Sequence, residues 1–191
     1  MADPLPEQKE ALLLWAIQDE GYLGRYKLVS ILGLPDGITR GLLTKLARKG
    51  YLKKKRFVGS TLTTKGKNRL TKLLTDLGIR EIKEIDAGTL SLAPTSIVAH
   101  IRDKSATVRS GIEQRDAAIK SGAAGAITII FQDGKLLLPP DRFDLSKKNP
   151  TLTDQAKKQF QLLEGDVLVI GSANDRWRAV EGVLGAAQTL R

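Results

Sequence analysis

Residues 37–75 carry 12 basic residues and no acidic one. Such a stretch is compact only if every charge faces outward, and its leucines recur at spacings that allow this. Folded domains ordinarily mix both signs on their surfaces, so a one-sign face of this length points to a polyanionic partner. The plainer reading is a basic face that is merely solvated. The bias belongs to one half of the chain. Residues 1–80 hold 16 Lys/Arg against 7 Asp/Glu, whereas residues 81–191 hold 15 against 14.

Periodicity and turn chemistry order the basic half. Residues 7–20 read as a helix: Pro6 precedes it, Glu7 and Glu10 suit its positive N-terminal end, and Gly21 stops it. A shorter helix is expected over 25–32, with Tyr26, Leu28, Val29 and Leu32 as buried contacts. Gly33-Leu34-Pro35-Asp36-Gly37 forces a turn. A third helix, about 38–49, places Ile38, Leu42, Leu43 and Leu46 on one stripe. Arg40, Thr44 and Arg48 recur every four residues away from that stripe, with Lys45 beside them and Gly50 as the C-cap glycine. Residues 51–57 and 61–64 are β-compatible runs around a Val58-Gly59-Ser60 turn, which makes a hairpin. Helical spacing resumes over 67–77.

The order helix, helix, turn, helix, hairpin, helix resembles the winged helix-turn-helix regulators over about residues 7–77. Leu42-Leu43-Thr44-Lys45-Leu46-Ala47-Arg48-Lys49-Gly50-Tyr51-Leu52 is similar to that family's recognition helix running into its first wing strand. Leu62-Thr63-Thr64-Lys65-Gly66 is similar to the Leu-Thr-x-x-Gly segment that closes the wing and opens the next helix. The resemblance implies double-stranded DNA as partner and a role in transcription regulation, with a homodimer on two half-sites. The major groove admits an α-helix whose N-terminal part meets base edges, and here that part carries Thr39, Arg40 and Thr44. Arg40 suits the bidentate contact to guanine. Lys45, Arg48 and the wing residues Lys53, Lys54, Lys55 and Arg56 suit phosphates, which position a protein without reading sequence. Gly41 marks either a close approach of the helix backbone to DNA or a packing position.

In the second half, strands are expected over 79–85, 95–101, 126–131, 135–138 and 166–170, with Asp133-Gly134 as a hairpin turn. Helices are expected over 109–121, 153–163 and 176–190, and residues 141–150 as a loop. Strands alternating with helices indicate an α/β domain with some parallel pairing. The fold class expected is thus α/β plus α+β: a winged helix-turn-helix domain over 1–78 followed by an α/β domain over 79–191. Arg115-Asp116-Ala117-Ala118-Ile119-Lys120-Ser121-Gly122-Ala123, Gly125-Ala126, Asp133-Gly134-Lys135 and Glu164-Gly165-Asp166-Val167-Leu168-Val169-Ile170-Gly171-Ser172 resemble the C-terminal domain of a family of archaeal winged-helix proteins of uncharacterised function. That resemblance implies a fold and a regulatory role, and it brings no catalytic residues.

Open α/β sheets bind ligands beyond the carboxyl ends of their strands. This singles out residues 171–175, where Ser172 and Asn174 precede a helix N-terminus able to hold a phosphate or carboxylate. The alternative is a plain connection with Asn174 or Asp175 as N-cap. Arg109, Arg115 and Asp116 form a second candidate ligand set, with salt bridging as the alternative. His100 lies in an apolar run and reads as a buried strand histidine rather than a base. The chain has one histidine and no cysteine, so neither a disulfide framework nor a thiolate or histidine-cluster metal site is available. No Ser/His/Asp set and no partnered carboxylates stand out, so no metal, cofactor or enzymatic activity is expected. No apolar run approaches the roughly 18 residues of a membrane span, and residues 1–4 lack a signal-peptide pattern, which suggests a cytoplasmic protein. The leading expectation is a DNA-binding transcription regulator whose second domain senses a small-molecule effector, dimerises, or both. The alternatives are an enzyme in the second domain tethered to nucleic acid by the first, and a winged helix used for RNA or protein contacts.

Overall fold

The computed structural model describes residues 7–191. Pro6, expected before the first helix, and residues 1–4, read for a signal peptide, lie outside the described residues. The chain divides between Leu74 and Thr75 into two compact units. The described residues form seven α-helices and two antiparallel sheets, an α+β arrangement. Among them no helix is long and apolar enough to cross a membrane.

In the first unit, α1 (Glu7–Glu20), α2 (Arg25–Leu32) and α3 (Asp36–Arg48) precede an antiparallel hairpin of β1 (Leu52–Lys55) and β2 (Gly59–Leu62), and α4 (Thr64–Asp76) follows. Gly33 ends α2 in the left-handed region, with its N–H on the Val29 carbonyl. Asp36 then opens α3 at its positive end and pairs with Arg25 at 2.8 Å. Leu12, Leu13, Leu28, Leu32, Leu43, Leu46, Leu70 and Leu73 are buried together with Thr39. The buried stripe of α3 therefore runs through Thr39, Leu43 and Leu46, and Ile38 is 52% exposed. The reason is tertiary: α3 packs against α2 and β1, and those neighbours choose which side is covered. Tyr26, expected inside, is exposed as well. The hairpin turn is Arg56-Phe57-Val58, and Gly59 and Ser60 belong to β2 rather than to the turn.

The Leu-Thr-x-x-Gly segment acquires a physical meaning at the start of α4. Thr63 Oγ1 donates to the Gly50 carbonyl at 2.6 Å and accepts from the Gly66 N–H at 3.0 Å, so one hydroxyl ties the approach to the hairpin to the first turn of the helix. Gly66 lies so near the Tyr51 carbonyl that a Cβ there would stand 2.1 Å from its oxygen. Arg69 of α4 holds Glu10 of α1 at 2.7 Å, and that bond raises the Arg69 pKa above its ordinary value.

The second unit contains, in chain order, β3 (Ile79–Glu84), β4 (Thr95–Ile101), α5 (Ile112–Lys120), β5 (Gly125–Gln132), β6 (Lys135–Leu138), β7 (Phe143–Asp144), α6 (Pro150–Gln159), β8 (Val167–Ala173) and α7 (Arg176–Gln188). The sheet order is β3-β4-β8-β5-β6-β7. Every neighbouring pair is antiparallel, which corrects the expected α/β class with parallel pairing. The last strand, β8, is inserted between β4 and β5 and runs against both. A strand buried on both faces reads as one apolar run whichever way it points, so its composition does not encode its direction. α7 packs on β4 and β8 and α5 on β5; Gly171 admits α7, since a Cβ there would meet Val183 at 2.8 Å. The side chains of Val98, Leu168, Ile170, Ile129 and Leu136 form a core with Leu152, Ala156 and Phe160 of α6 and the residue after it. The expected loop over 141–150 holds the short β7 and a 3₁₀ turn, and α6 starts early because Asn149 caps it through the Leu152 N–H.

Candidate nucleic-acid interface

On α3 the side opposite the core carries Arg40, Gly41, Lys45 and Arg48, all exposed, with Thr44 half-buried among them. The four-residue spacing of Arg40, Thr44 and Arg48 is what stacks them on one side. Thr44 Oγ1 donates to the Arg40 carbonyl at 2.9 Å, so its oxygen meets a ligand only as an acceptor. Thr39 does not belong to this face. It is 0% exposed, and among the described residues its hydroxyl has no partner, so the expectation that it touches DNA is corrected to a core position.

The hairpin that follows exposes Lys53, Lys54, Lys55 and Arg56 in succession. Lys54, Lys55 and Arg56 line a cleft of about 490 Å³ together with Arg25, Arg40 and Phe57. A shallow hollow of about 530 Å³ runs along α3 past Arg40, Thr44, Lys45 and Arg48. Arg40 belongs to both, and so joins the helix face to the hairpin face.

Arg25, Tyr26 and Phe57 are members of this surface that the sequence reading did not include. The Arg25 guanidinium lies 4.9 Å from the Tyr26 ring and that of Arg56 4.9 Å from the Phe57 ring, while Lys55 reaches to 5.7 Å from Tyr22. These are cation–π distances, in which the ring quadrupole holds the cation without neutralising it. An aromatic directly after four basic residues, as Phe57 is, was the available signal. Tyr26 had none, because its place in a leucine-rich helix looks like core.

In the second unit the candidate ligand residues separate. Ser172 is a residue of β8, buried and bonded to Ser96 at 2.9 Å, which is in turn 3.0 Å from Ser91; the expected anion contact by Ser172 is corrected to a sheet contact. The strand continues through Ala173, so the connection begins only at Asn174, which is exposed. Asp175 caps α7, accepting from the Trp177 and Arg178 N–H groups. Arg115 and Asp116 pair with each other at 3.0 Å on the surface. Arg109 alone of that set borders a cavity, of about 440 Å³, shared with Val108, Ile130, Pro139, Arg142 and Glu164. Arg142 donates to Gln132, and both Glu164 oxygens accept backbone N–H groups, of Asp133 and Gly134. The one carboxylate of the cavity is thus committed while its two guanidinium groups meet no acid within it.

His100 is enclosed. Its Nε2 lies 2.7 Å from Asp166 Oδ2, and both side chains are buried. Asp166, which the sequence reading passed over as a strand start, also accepts from the Leu163 N–H at 3.0 Å and the Asp103 N–H at 3.1 Å. The pair ties β4 to the approach of β8. Among the described residues no group of three or more His, Cys, Asp or Glu side chains is placed to hold a metal ion.

A family model described as a domain of unknown function, DUF4443, matches residues 93–190. The chain belongs to the DUF4443 family. The match spans β4 to α7 and so takes in most of the sheet. A solved structure, the hypothetical protein PH0730 from Pyrococcus horikoshii OT3, is similar over 98% of this chain and 93% of its own, at 25% identity and a TM-score of 0.76. No curated protein matches. The likeness of the second half to an archaeal family of uncharacterised function thus has its counterpart in the DUF4443 model and in an archaeal structure.

Proposed function

We propose that this DUF4443 protein is a DNA-binding transcription regulator. Its first unit is a winged helix-turn-helix domain that sets α3 in the major groove, with the β1–β2 hairpin as a wing along the flanking backbone. One observation carries the reading. Arg40, Lys45 and Arg48 of α3 and Lys54, Lys55 and Arg56 of the hairpin stand exposed around two hollows that share Arg40, in a stretch with no acidic residue. A cluster of one sign repels itself, and a polyanion relieves that repulsion by releasing its own counterions. Arg40 is the base reader and the lysines hold phosphates. Helix-turn-helix proteins commonly bind DNA as dimers on two half-sites, and a homodimer is the form expected to bind here. The second unit receives the effector: the cavity at Arg109 and Arg142, with apolar walls from Val108, Ile130 and Pro139, fits a small organic anion.

The test is selection of bound sequences from a random duplex pool, followed by titration of the selected site at several salt concentrations. The plot of log K against log salt is expected to fall with a slope of about −0.9 per phosphate neutralised. Arg40→Ala is expected to narrow the gap between selected and random sequence by about 1–3 kcal/mol. If it weakens both equally, Arg40 is a phosphate contact; if no sequence is enriched and salt has no effect, the reading fails.

A further inference from the structure

We propose that Phe57, at the hairpin tip, enters the base stack of the bound duplex as an apolar wedge, so that this protein unstacks and bends the DNA it holds. The inference rests on the duplex binding proposed above and adds to it a deformation of the partner. Phe57 is 93% exposed, and Val58 beside it is 45% exposed. The tip is therefore apolar, although it rises from the most basic segment of the chain.

The backbone makes the choice of residue harder to explain by folding alone. The Val58 N–H bonds the Lys55 carbonyl at 3.2 Å, which makes Phe57 the third residue of a β-turn, and its φ is +64°. That position selects glycine or asparagine, because a Cβ is disfavoured there. A bulky aromatic is strained in this conformation and gains no burial within the chain in return. Strain of this kind points outward, to a contact that the isolated fold does not contain.

The tip is also held in place from below. Ser60 and Leu23 exchange both backbone hydrogen bonds, at 2.8 and 3.0 Å. Gly59 is pressed so closely to the Leu23 carbonyl that a Cβ would stand 2.4 Å from its oxygen. Phe57 is thus presented by a braced hairpin, and little ordering remains to be done on binding.

Charge decides which partner suits the tip. Arg56 lies against the Phe57 ring, and Lys54, Lys55 and Arg40 line the cleft next to it. A duplex offers an apolar base step between two rows of phosphate, which matches a ring between cations. Side chains of this kind, inserted between base steps, are how proteins that kink DNA open it. Pyrimidine–purine steps unstack most readily, so TA or CA steps are expected under the tip in selected sites.

The experiment uses the full chain and a duplex pool in which 2-aminopurine replaces adenine, with donor and acceptor dyes on the ends of a second pool. Wild-type protein is expected to raise 2-aminopurine emission and shorten the end-to-end distance. Phe57→Ala and Phe57→Gly are expected to lose both signals while keeping the salt slope, since Phe57 holds no phosphate. Glycine suits the positive φ and so keeps the hairpin folded, and Phe57→Trp is expected to retain both signals. Salt-dependent binding by the wild type with unchanged emission and distance overturns the wedge and leaves the DNA-binding reading standing. Failure to bind any duplex overturns both. A wild-type chain that leaves the duplex for vesicles of anionic lipid, and that Phe57→Ala releases from them, assigns the tip to a membrane surface and overturns the wedge.

Discussion

Gly41→Ala is expected to make the free protein more stable and its DNA complex weaker. Gly41 sits in the middle of α3 on the exposed side, and a Cβ built there meets nothing within 4 Å. It is therefore not a packing glycine. A helix-interior glycine is about 0.8–1.0 kcal/mol worse than alanine, so with no contact to lose the substitution should return about that amount. Against a duplex the same methyl group stands beside Arg40 and Lys45, where α3 would approach the groove. If it lifts the helix enough to break one good base contact, affinity falls by roughly 1–3 kcal/mol. Gly66→Ala is the matched control with the opposite sign. There the new Cβ meets a backbone oxygen at 2.1 Å, which no rotamer change relieves. Overpacking costs about 1–3 kcal/mol and the Thr63 cap about 1 more, against about 1 gained in helix propensity. The net expectation is a loss of about 1–3 kcal/mol. Urea unfolding followed by fluorescence reads the first unit if Trp177 is replaced by Phe, which leaves Trp15 of α1 as the reporter. Midpoints that move the same way for both alanines refute the steric argument. A stabilised Gly41→Ala that binds its site as tightly as the wild type refutes the assignment of this side of α3 to the groove.

Thr39→Val is expected to raise stability by about 1 kcal/mol and to leave duplex affinity unchanged, because it removes a buried hydroxyl that has no partner among the described residues. A loss of affinity would return Thr39 to the interface. Asp166→Asn is expected to destabilise the second unit by about 1–3 kcal/mol in urea unfolding, since whichever oxygen becomes an amide then faces a backbone N–H, that of Asp103 on one side or of Leu163 on the other. An unchanged midpoint would mean the site takes up water. The Asp144 carboxyl is held below its ordinary value of 3.8 by the Ser146 hydroxyl and N–H, which donate to it. Its contribution is present above the unfolded-state pKa and is lost as pH falls through the lowered one. NMR titration is expected to show Asp144 protonating at lower pH than an unpaired aspartate, and Ser146→Ala is expected to bring it back up. An unmoved curve in that variant would remove the cause.

The end of α1 and the extent of α2 were legible because such boundaries are local events. Gly21 and Gly33 take positive φ where each helix stops, and such a preference acts over a few residues. The exposure of Arg40 and Arg48 followed from their spacing, and the Asp133-Gly134 hairpin from turn chemistry; Asp133 and Gly134 both take positive φ. Other features were closed to this kind of reading. Ile38 and Thr39 are equally good candidates for the covered side of α3 until α2 and β1 are in place. Gly59 looked like a turn residue, yet it is a strand residue flattened by the Leu23 backbone, more than thirty positions earlier in the chain. His100 and Asp166 are 66 residues apart, and neither advertises the other. The direction of β8 is the clearest instance, because its apolar side chains are buried by neighbours on both faces and would be so in either orientation. Periodicity and caps draw their energy from residues a turn away and are written in the order of the amino acids. Pairing, register and the choice of buried face draw theirs from contacts that exist only once distant segments have met, and those the assembled fold alone decided.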